Sequence, residues 1–136
     1  MDITRKSDYA IRMMTALAEP DASCPVSVRD LAERQGVPYA FARSVQRDLS
    51  AAGLVQTTRG AAGGLCLARD AHAITLLDIV IATQGDPSIA VCSNDPSWCE
   101  RVGSCRTHRV WCEIDAAVRR ILGSKTLAGL VSTQGR

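Results

Sequence analysis

Apolar residues recur at helical spacing in three stretches of the chain before Gly53, and polar or turn-forming residues separate these stretches. The pattern predicts a helix that begins at a Ser7 cap and ends before Pro20, a short helix that begins at a Ser27 cap and ends near Gln35, and a third helix over residues 39–52. We expect the buried faces of these helices to consist of Ala10, Met13, Met14, Leu17, Ala18, Val28, Leu31, Ala32, Phe41, Val45 and Leu49.

Two β-rich runs follow the third helix, at residues 54–58 and 65–68. The glycine-rich segment 59–64 lies between them and predicts a hairpin turn that begins with the basic residue Arg59. Two helices joined by a tight turn and followed directly by such a hairpin have the element order of a winged helix-turn-helix. The predicted fold is therefore mainly α with a small β-wing.

The second half of the chain predicts two main helices separated by a long segment without periodicity. One helix begins at Thr75 and ends near Gly85, and an apolar stripe predicts a long helix over residues 108–122. Because so small an upstream domain cannot cover this stripe alone, we expect the long helix to pack against its copy in a second chain. Packing on its own domain is the alternative. A short last helix is predicted over residues 126–131.

These elements divide the chain into three parts. Residues 1–85 form the winged helix-turn-helix, which we expect to bind DNA. Residues 86–107 form a loop that we expect to bind a metal cluster, because an irregular loop of this length is uncommon in a compact domain unless something holds it. Residues 108–136 form the long C-terminal dimerisation helix and the C-terminal tail.

The charge distribution favours DNA as the partner. The 136 residues carry a net charge of only +2, but residues 34–69 contain five arginines and one acid, Asp48. A local basic stripe is typical of a compact DNA-binding module, although a solvated helix face has the same composition. Gln46 is expected to point off the DNA-facing side. The residues expected to contact DNA are Tyr39, Ala40, Arg43, Ser44 and Arg47 on the third helix and Arg59 on the wing.

Targeting signals and cysteines indicate the compartment and the chemistry. The N-terminus does not resemble a signal peptide, and no run approaches the roughly 20 apolar residues of a membrane span, so we expect a cytoplasmic protein without membrane contact. In that reducing compartment, six cysteines argue against structural disulfides and for metal or redox chemistry. Cys24 and Cys66 are isolated in the sequence, and no role is predicted for them.

Four residues form the candidate metal site. Cys92, Cys99, Cys105 and His108 have the spacing C-x6-C-x5-C-x2-H. Three thiols and an imidazole are soft ligands that suit an iron–sulfur cluster or zinc. Cys112, one helical turn after His108, is a further candidate ligand, and packing at the start of the long helix is its alternative role.

Several of these motifs resemble the Rrf-type winged-helix regulators, the family of IscR-like and NsrR-like iron–sulfur cluster sensors. The similar segments are Ile3-Thr4-Arg5-Lys6-Ser7-Asp8-Tyr9-Ala10, the wing Thr58-Arg59-Gly60-Ala61-Ala62-Gly63-Gly64, and the three spaced cysteines. The resemblance covers nearly the whole chain. It implies a homodimer with crossed C-terminal helices, in which two winged modules bind a palindromic operator in double-stranded DNA.

The resemblance also implies a cluster held by the three cysteines and a fourth ligand. IscR-like proteins use a histidine after the third cysteine to hold a [2Fe-2S] cluster, and His108 matches that position. NsrR-like proteins use an aspartate in the first helix of the partner chain to hold a [4Fe-4S] cluster, and Asp8 matches that one. The gap of six residues between the first two cysteines departs from the family's five. The implied function is a transcription regulator, a repressor, whose operator affinity the cluster controls in response to nitric oxide, redox state or iron–sulfur status.

Two alternatives differ in the chemistry of the cysteines. The same ligands suit a structural zinc ion in a DNA-binding regulator. A thiol-dependent redox protein is the other alternative, but the sequence has no C-x-x-C motif, and His72 and His108 are its only histidines. We therefore expect no enzymatic activity and no small-molecule substrate.

Overall fold

Helices form most of the structure, a computed structural model that describes residues 1–133. The helices are α1 (Arg5–Leu17), α2 (Val28–Gln35), α3 (Tyr39–Ala51), α4 (Leu76–Gln84), α5 (Val91–Asn94), α6 (His108–Ser124) and α7 (Leu127–Thr133). Strands β1 (Val55–Thr58) and β2 (Gly64–Leu67) form an antiparallel hairpin, and short 3-10 helices cover Ala71–Ala73 and Pro96–Trp98. The predicted fold class, mainly α with a small β-wing, is confirmed.

The start of α1 differs from its prediction. Thr4, not Ser7, is the cap: its hydroxyl oxygen accepts a hydrogen bond from the Ser7 N–H at 3.1 Å. Ser7 itself is fully buried, and its hydroxyl donates to the Gln84 side-chain oxygen at 2.6 Å. Ser7, which was predicted to cap α1, therefore joins α1 to the end of α4 instead.

Helices α2 and α3 form the helix-turn-helix. The Ser27 hydroxyl accepts from the Asp30 N–H at 3.1 Å and caps α2 as predicted. Gly36 ends α2 at φ 62°, a left-handed conformation that favours glycine. The expectation that Phe41 faces the core is wrong, since α3 buries Ala42, Val45 and Leu49 instead. Phe41 packs edge-on against Tyr9 on α1, with ring centroids 5.3 Å apart.

The wing is attached to the start of α2 by main-chain hydrogen bonds. Val26 and Leu65 exchange N–H to carbonyl hydrogen bonds of 3.0 and 2.7 Å, so residue 26 pairs with the free edge of β2. We call this contact the wing seam. Gly64 lies beside it, and a Cβ there would collide with the Val26 carbonyl. The wing therefore needs a glycine at residue 64 to approach α2 this closely.

The core lies between α1, α3, α4 and the wing, and α7 completes it. The largest fully buried side chains are Met13, Met14, Leu49, Leu54, Leu65, Ile74, Ile79 and Leu127. Leu127 is the first residue of α7, and its N–H donates to the Ile74 carbonyl at 3.0 Å. On the other side of this contact, the Leu76 N–H donates to the Lys125 carbonyl at 2.9 Å. The chain after α6 thus returns to the winged module.

The segment 86–107 is less irregular than the sequence predicts. It contains α5 and the second 3-10 helix, with turns between them. Helix α6 begins at His108 as predicted, and its apolar Val110 and Ile121 are about half exposed. These side chains are available to a second copy, and dimerisation through α6 stays a prediction. The last residues of the predicted tail, 134–136, lie outside the described residues.

Within residues 1–133, none of the helices combines the length and the apolar composition that crossing a membrane requires.

Candidate nucleic-acid interface and metal ligands

A groove lies between the start of α2, the exposed side of α3 and the wing. Its volume is about 470 Å³. The side chains and backbone that line it come from Ser27, Val28, Arg29, Tyr39, Arg43, Gln46, Thr57, Thr58, Arg59, Gly63 and Gly64. We call it the basic groove, because among residues 1–133 its lining includes three arginines and no acidic residue. A concave surface of one charge sign concentrates an oppositely charged partner.

Arg29 and Tyr39 form one wall of the basic groove. The Arg29 guanidinium carbon lies 4.3 Å from the centre of the Tyr39 ring. Arg29 is in the first turn of α2, where the helix dipole disfavours a cation. Within residues 1–133, neither Arg29, Arg43 nor Arg59 makes a salt bridge or a side-chain hydrogen bond to the protein. Their donors are therefore free for an anionic ligand.

The acid on α3 does not weaken this positive surface. Asp48 is paired with Lys6 of α1, with 2.5 Å between the Lys6 Nζ and the carboxylate oxygen. The pair joins α1 to α3 and neutralises the single acid of residues 34–69. The positive charge of the stripe is thus concentrated on the arginines.

The structure brings together only part of the DNA-binding set predicted from the sequence. Tyr39, Arg43 and Arg59 line the basic groove, whereas Ala40, Ser44 and Arg47 do not. Gln46 lines it with Arg43, so the expectation that it points off this face is wrong.

Arg29 is the basic residue of the groove that was not predicted from the sequence. It lies before the arginine-rich stretch 34–69 and on the first helix of the motif rather than on the second. One signal was available in the sequence. Arg29 lies in the first turn of α2, where the helix dipole favours a negative charge such as that of Asp30 and disfavours a positive one.

The candidate metal ligands lie in a segment that α6 holds by polar contacts. Asp115 on α6 is 9% exposed, and its carboxylate accepts from the Ile89 N–H at 2.7 Å and from the Ser93 hydroxyl. One turn later, Arg119 forms a salt bridge with Asp86. Two residues on one face of α6 therefore fix the chain on both sides of Ile89, next to Cys92.

The ionisation of Asp115 supports these contacts. Burial raises its pKa, but the hydrogen bonds from Ser93 and from the Ile89 N–H outweigh that effect, so the pKa lies below its usual value. The charged form of Asp115 is therefore the one that the fold stabilises.

Cys92, Cys99 and Cys105 are free thiols and are half buried. The Thr107 hydroxyl, 3.2 Å from the Cys105 sulfur, lowers the pKa of Cys105, and backbone N–H groups of Thr107 and His108 add to this. Among the described residues, no three Cys, His, Asp or Glu side chains lie close enough to share one metal ion. The predicted ligands are thus near one another in sequence but are not assembled around a common centre.

His108 is placed differently from the three cysteines. Its Nε2 lies 3.6 Å from the Cys112 sulfur, and its Nδ1 is buried without a hydrogen-bond partner in the described residues. A buried imidazole nitrogen without a partner is costly unless a ligand completes it. The donor chemistry of Cys92, Cys99, Cys105 and His108 fits a metal centre, and the unpaired nitrogen is consistent with one.

Asp8, the alternative fourth ligand, already has a partner. Its carboxylate accepts from the Arg12 guanidinium at 2.7 Å, one turn later on α1. About half of each side chain is exposed. A ligand role for Asp8 would require this pair to open.

Cys24 and Cys66 contradict the expectation that the chain has no structural disulfide. Their sulfurs are bonded, and their Cα atoms are 5.4 Å apart. The wing seam brings them together, because Val26 pairs with Leu65 and each cysteine lies one or two residues away. Their sequence separation of 42 residues hid this contact.

The whole chain is similar to proteins of one family. The Rrf2 model, described as an iron-dependent transcriptional regulator, matches residues 3–133. The chain is 34% identical over 131 residues to the protein named rrf2 of Nitratidesulfovibrio vulgaris, with 96% of this chain and 87% of that protein covered.

Two solved structures have a similar fold. T. potens IscR superposes with a TM-score of 0.77 and 28% identity, covering 98% of this chain and 88% of that one. CymR, described as the global cysteine regulator of B. subtilis, superposes with a TM-score of 0.73 and 28% identity, covering 98% of both chains.

Proposed function

Because this chain belongs to the Rrf2 family of transcriptional regulators, we propose that it is a cytoplasmic repressor that binds a palindromic operator as a homodimer and that an iron–sulfur cluster controls its operator affinity. The observation that carries the DNA-binding part is the basic groove, in which Arg29, Arg43 and Arg59 converge with free donors.

The groove suits the two ways in which proteins contact DNA. Helix α3 presents Tyr39 and Arg43 near its N-terminal end, the part of a recognition helix that usually contacts base edges in the major groove. Arginine donates two hydrogen bonds to guanine, which is the role proposed for Arg43. Arg59 on the wing suits a minor-groove or phosphate contact, and Arg29 suits a phosphate, since it lies at the edge where α2 begins.

We assign cluster binding to Cys92, Cys99 and Cys105, with His108 as the fourth ligand. Free thiols in one segment favour this assignment, and the buried, unpaired Nδ1 of His108 favours it over Asp8. When bound, the cluster supplies a group that reacts with nitric oxide and oxidants. Asp115 and Arg119 hold the chain on both sides of Cys92, from Asp86 to Ser93, against α6. A movement of this segment would therefore be passed to the helix expected to form the dimer.

The test begins with DNA selected from a random duplex pool, because the operator is unknown. The purified protein should enrich a palindrome and bind it as a dimer. Cluster-loaded and metal-free protein, prepared anaerobically, should then differ in affinity by a factor of about 5–150, the usual range for coupling between two sites. Equal affinities would exclude cluster control while leaving DNA binding intact. Colourless protein that retains stoichiometric zinc would instead support the structural zinc alternative.

A further inference from the structure

The Cys24–Cys66 pair lies outside the segment of the candidate metal ligands, and the function proposed above does not use it. Cys24 is exposed and Cys66 is half buried, so small reagents reach the pair from solvent. Cys24 lies three residues before the Ser27 cap of α2, and Cys66 lies on β2. The bond therefore joins the helix-turn-helix to the wing.

The pair also borders the basic groove. Ser27 and Gly64 line the groove on opposite sides of the wing seam, and each is within three residues of one of the two cysteines. Apart from the disulfide, the seam consists of the two hydrogen bonds between Val26 and Leu65 and of the packing of these side chains. The loop that the disulfide closes contains α2, α3 and β1, which form most of the groove.

We propose that Cys24 and Cys66 form a reversible thiol–disulfide site that reacts with low-molecular-weight disulfides, and that the bonded form binds DNA more tightly than the dithiol form. The inference rests on the DNA binding proposed above. Its physical basis is preorganisation: the bond fixes the wing, with Arg59, relative to α2 and α3, so less motion is lost when all three contact DNA at once. In the dithiol form that position is set by the two hydrogen bonds of the seam and by the packing of Leu54 and Leu65 in the core, without a covalent link between the wing and α2.

The reaction is a two-step thiol–disulfide exchange. The thiolate of Cys24, the more exposed residue, attacks one sulfur of the small disulfide. The S–S bond of that small disulfide breaks, and a small thiolate leaves. The thiolate of Cys66 then attacks the Cys24 sulfur of this mixed disulfide, and the second small thiolate leaves. Each leaving thiolate takes up one of the two protons that the cysteines lost. The two cysteines are oxidised, one disulfide is reduced to two thiols, and excess thiol reverses the reaction.

The experiment uses metal-free protein of the 136-residue sequence, so that a cluster does not contribute its own redox response. The protein is equilibrated with mixtures of reduced and oxidised glutathione over a range of ratios. The Cys24–Cys66 bond is quantified by alkylation and peptide mass mapping. Affinity for the selected duplex is measured on the same samples by fluorescence anisotropy.

We expect affinity to rise about fivefold or more as the mapped bond forms, a change at the lower end of the range for coupled sites. Cys24→Ser and Cys66→Ser should each bind like the dithiol form at every glutathione ratio. Circular dichroism and thermal unfolding of both variants show whether they are folded. As a second route that needs no variant, reducing the bonded wild-type protein should return it to the lower affinity.

Four outcomes would overturn the inference. They are the absence of the mapped bond at oxidising ratios, an affinity that does not change with it, a lower affinity of the bonded form, and a redox response that persists in folded Cys66→Ser. A protein that forms the bond but binds no duplex in either state contradicts the proposed function and the affinity claim, and it supports the thiol site alone.

Discussion

The carboxylate of Asp115 accepts a hydrogen bond from the Ile89 N–H at 2.7 Å, across 26 positions of sequence. It is the one buried charged side chain among the described residues. Its position on α6 makes it the link between the long helix and the segment that carries Cys92. The structure therefore predicts that this carboxylate, together with the Arg119–Asp86 salt bridge, holds the segment to the helix.

Replacing Asp115 tests that link. Asp115→Asn removes the charge and one acceptor, so we expect it to lower the free energy of unfolding by about 1.5–3 kcal/mol, the range for hydrogen bonds to a charged group. Urea unfolding measures the loss. Glu113→Gln, an exposed acid on the same helix, is the matched control and should change stability by less than about 0.5 kcal/mol. Equal effects of the two substitutions would show that Asp115 does not anchor the segment.

The same carboxylate predicts a pH dependence. Because the fold lowers the pKa of Asp115, its contribution to stability is complete above the ordinary carboxyl pKa of about 3.9 and is lost as the pH falls through the lower folded value. The stability difference between wild type and Asp115→Asn should therefore be full at pH 7 and shrink below about pH 4. A difference that stayed constant down to the acid transition would contradict the assignment.

Alanine substitutions of the arginines in the basic groove should lower DNA affinity more than the same substitution of Arg47, which lies outside the groove. Arg43→Ala should cost about 1–3 kcal/mol of operator affinity and relax the base preference at one position of each half-site. Arg29→Ala and Arg59→Ala, as phosphate contacts, should each weaken binding to all sequences. Because a dimer loses two contacts per substitution, each should reduce the slope of log affinity against log salt concentration by about 2. Titrations at several salt concentrations measure both effects. If Arg47→Ala matched Arg43→Ala, the groove would not be the DNA-facing surface.

Cluster spectra identify the fourth ligand. Asp8 is paired with Arg12, and the Nδ1 of His108 has no partner in the described residues, so we expect His108→Ala to lose the cluster or change its absorbance and Mössbauer spectra. Asp8→Ala should leave the spectra of a [2Fe-2S] cluster unchanged. The reverse pattern, with a [4Fe-4S] spectrum in the wild type that depends on Asp8, would assign the ligand to α1 of the partner chain.

Gly64 tests the wing seam. A Cβ at this residue collides with the Val26 main chain, which cannot move without breaking the two hydrogen bonds to Leu65. Gly64→Ala should therefore destabilise the protein by about 1–3 kcal/mol, as overpacking does. Gly103→Ala, where the space around the Cβ is open, is the control and should change the urea midpoint little. A fully stable Gly64→Ala protein would show that the wing is not held in this position.

Local pattern predicted the elements, while contacts between distant segments decided most of the site. Periodicity and a glycine-rich turn identified the helix-turn-helix and the wing, because both signals lie within a few residues. The Cys24–Cys66 bond, the burial of Ser7 and the anchoring by Asp115 each depend on a partner more than 25 residues away in sequence. Arg29 was missed for a similar reason, since only the packing of α2 beside α3 places it over Tyr39.

The contacts at the end of α6 have a mechanical consequence. Lys125 and Leu127 pair with Leu76 and Ile74, so the C-terminal end of the helix is fixed to the winged module. Its N-terminal end, at His108, adjoins the candidate metal ligands, and 17 residues span a distance of about 25 Å. A helix fixed at one end and displaced at the other acts as a rigid lever. Small movements near His108 would therefore rotate the whole winged module relative to the DNA, without any bending of α6.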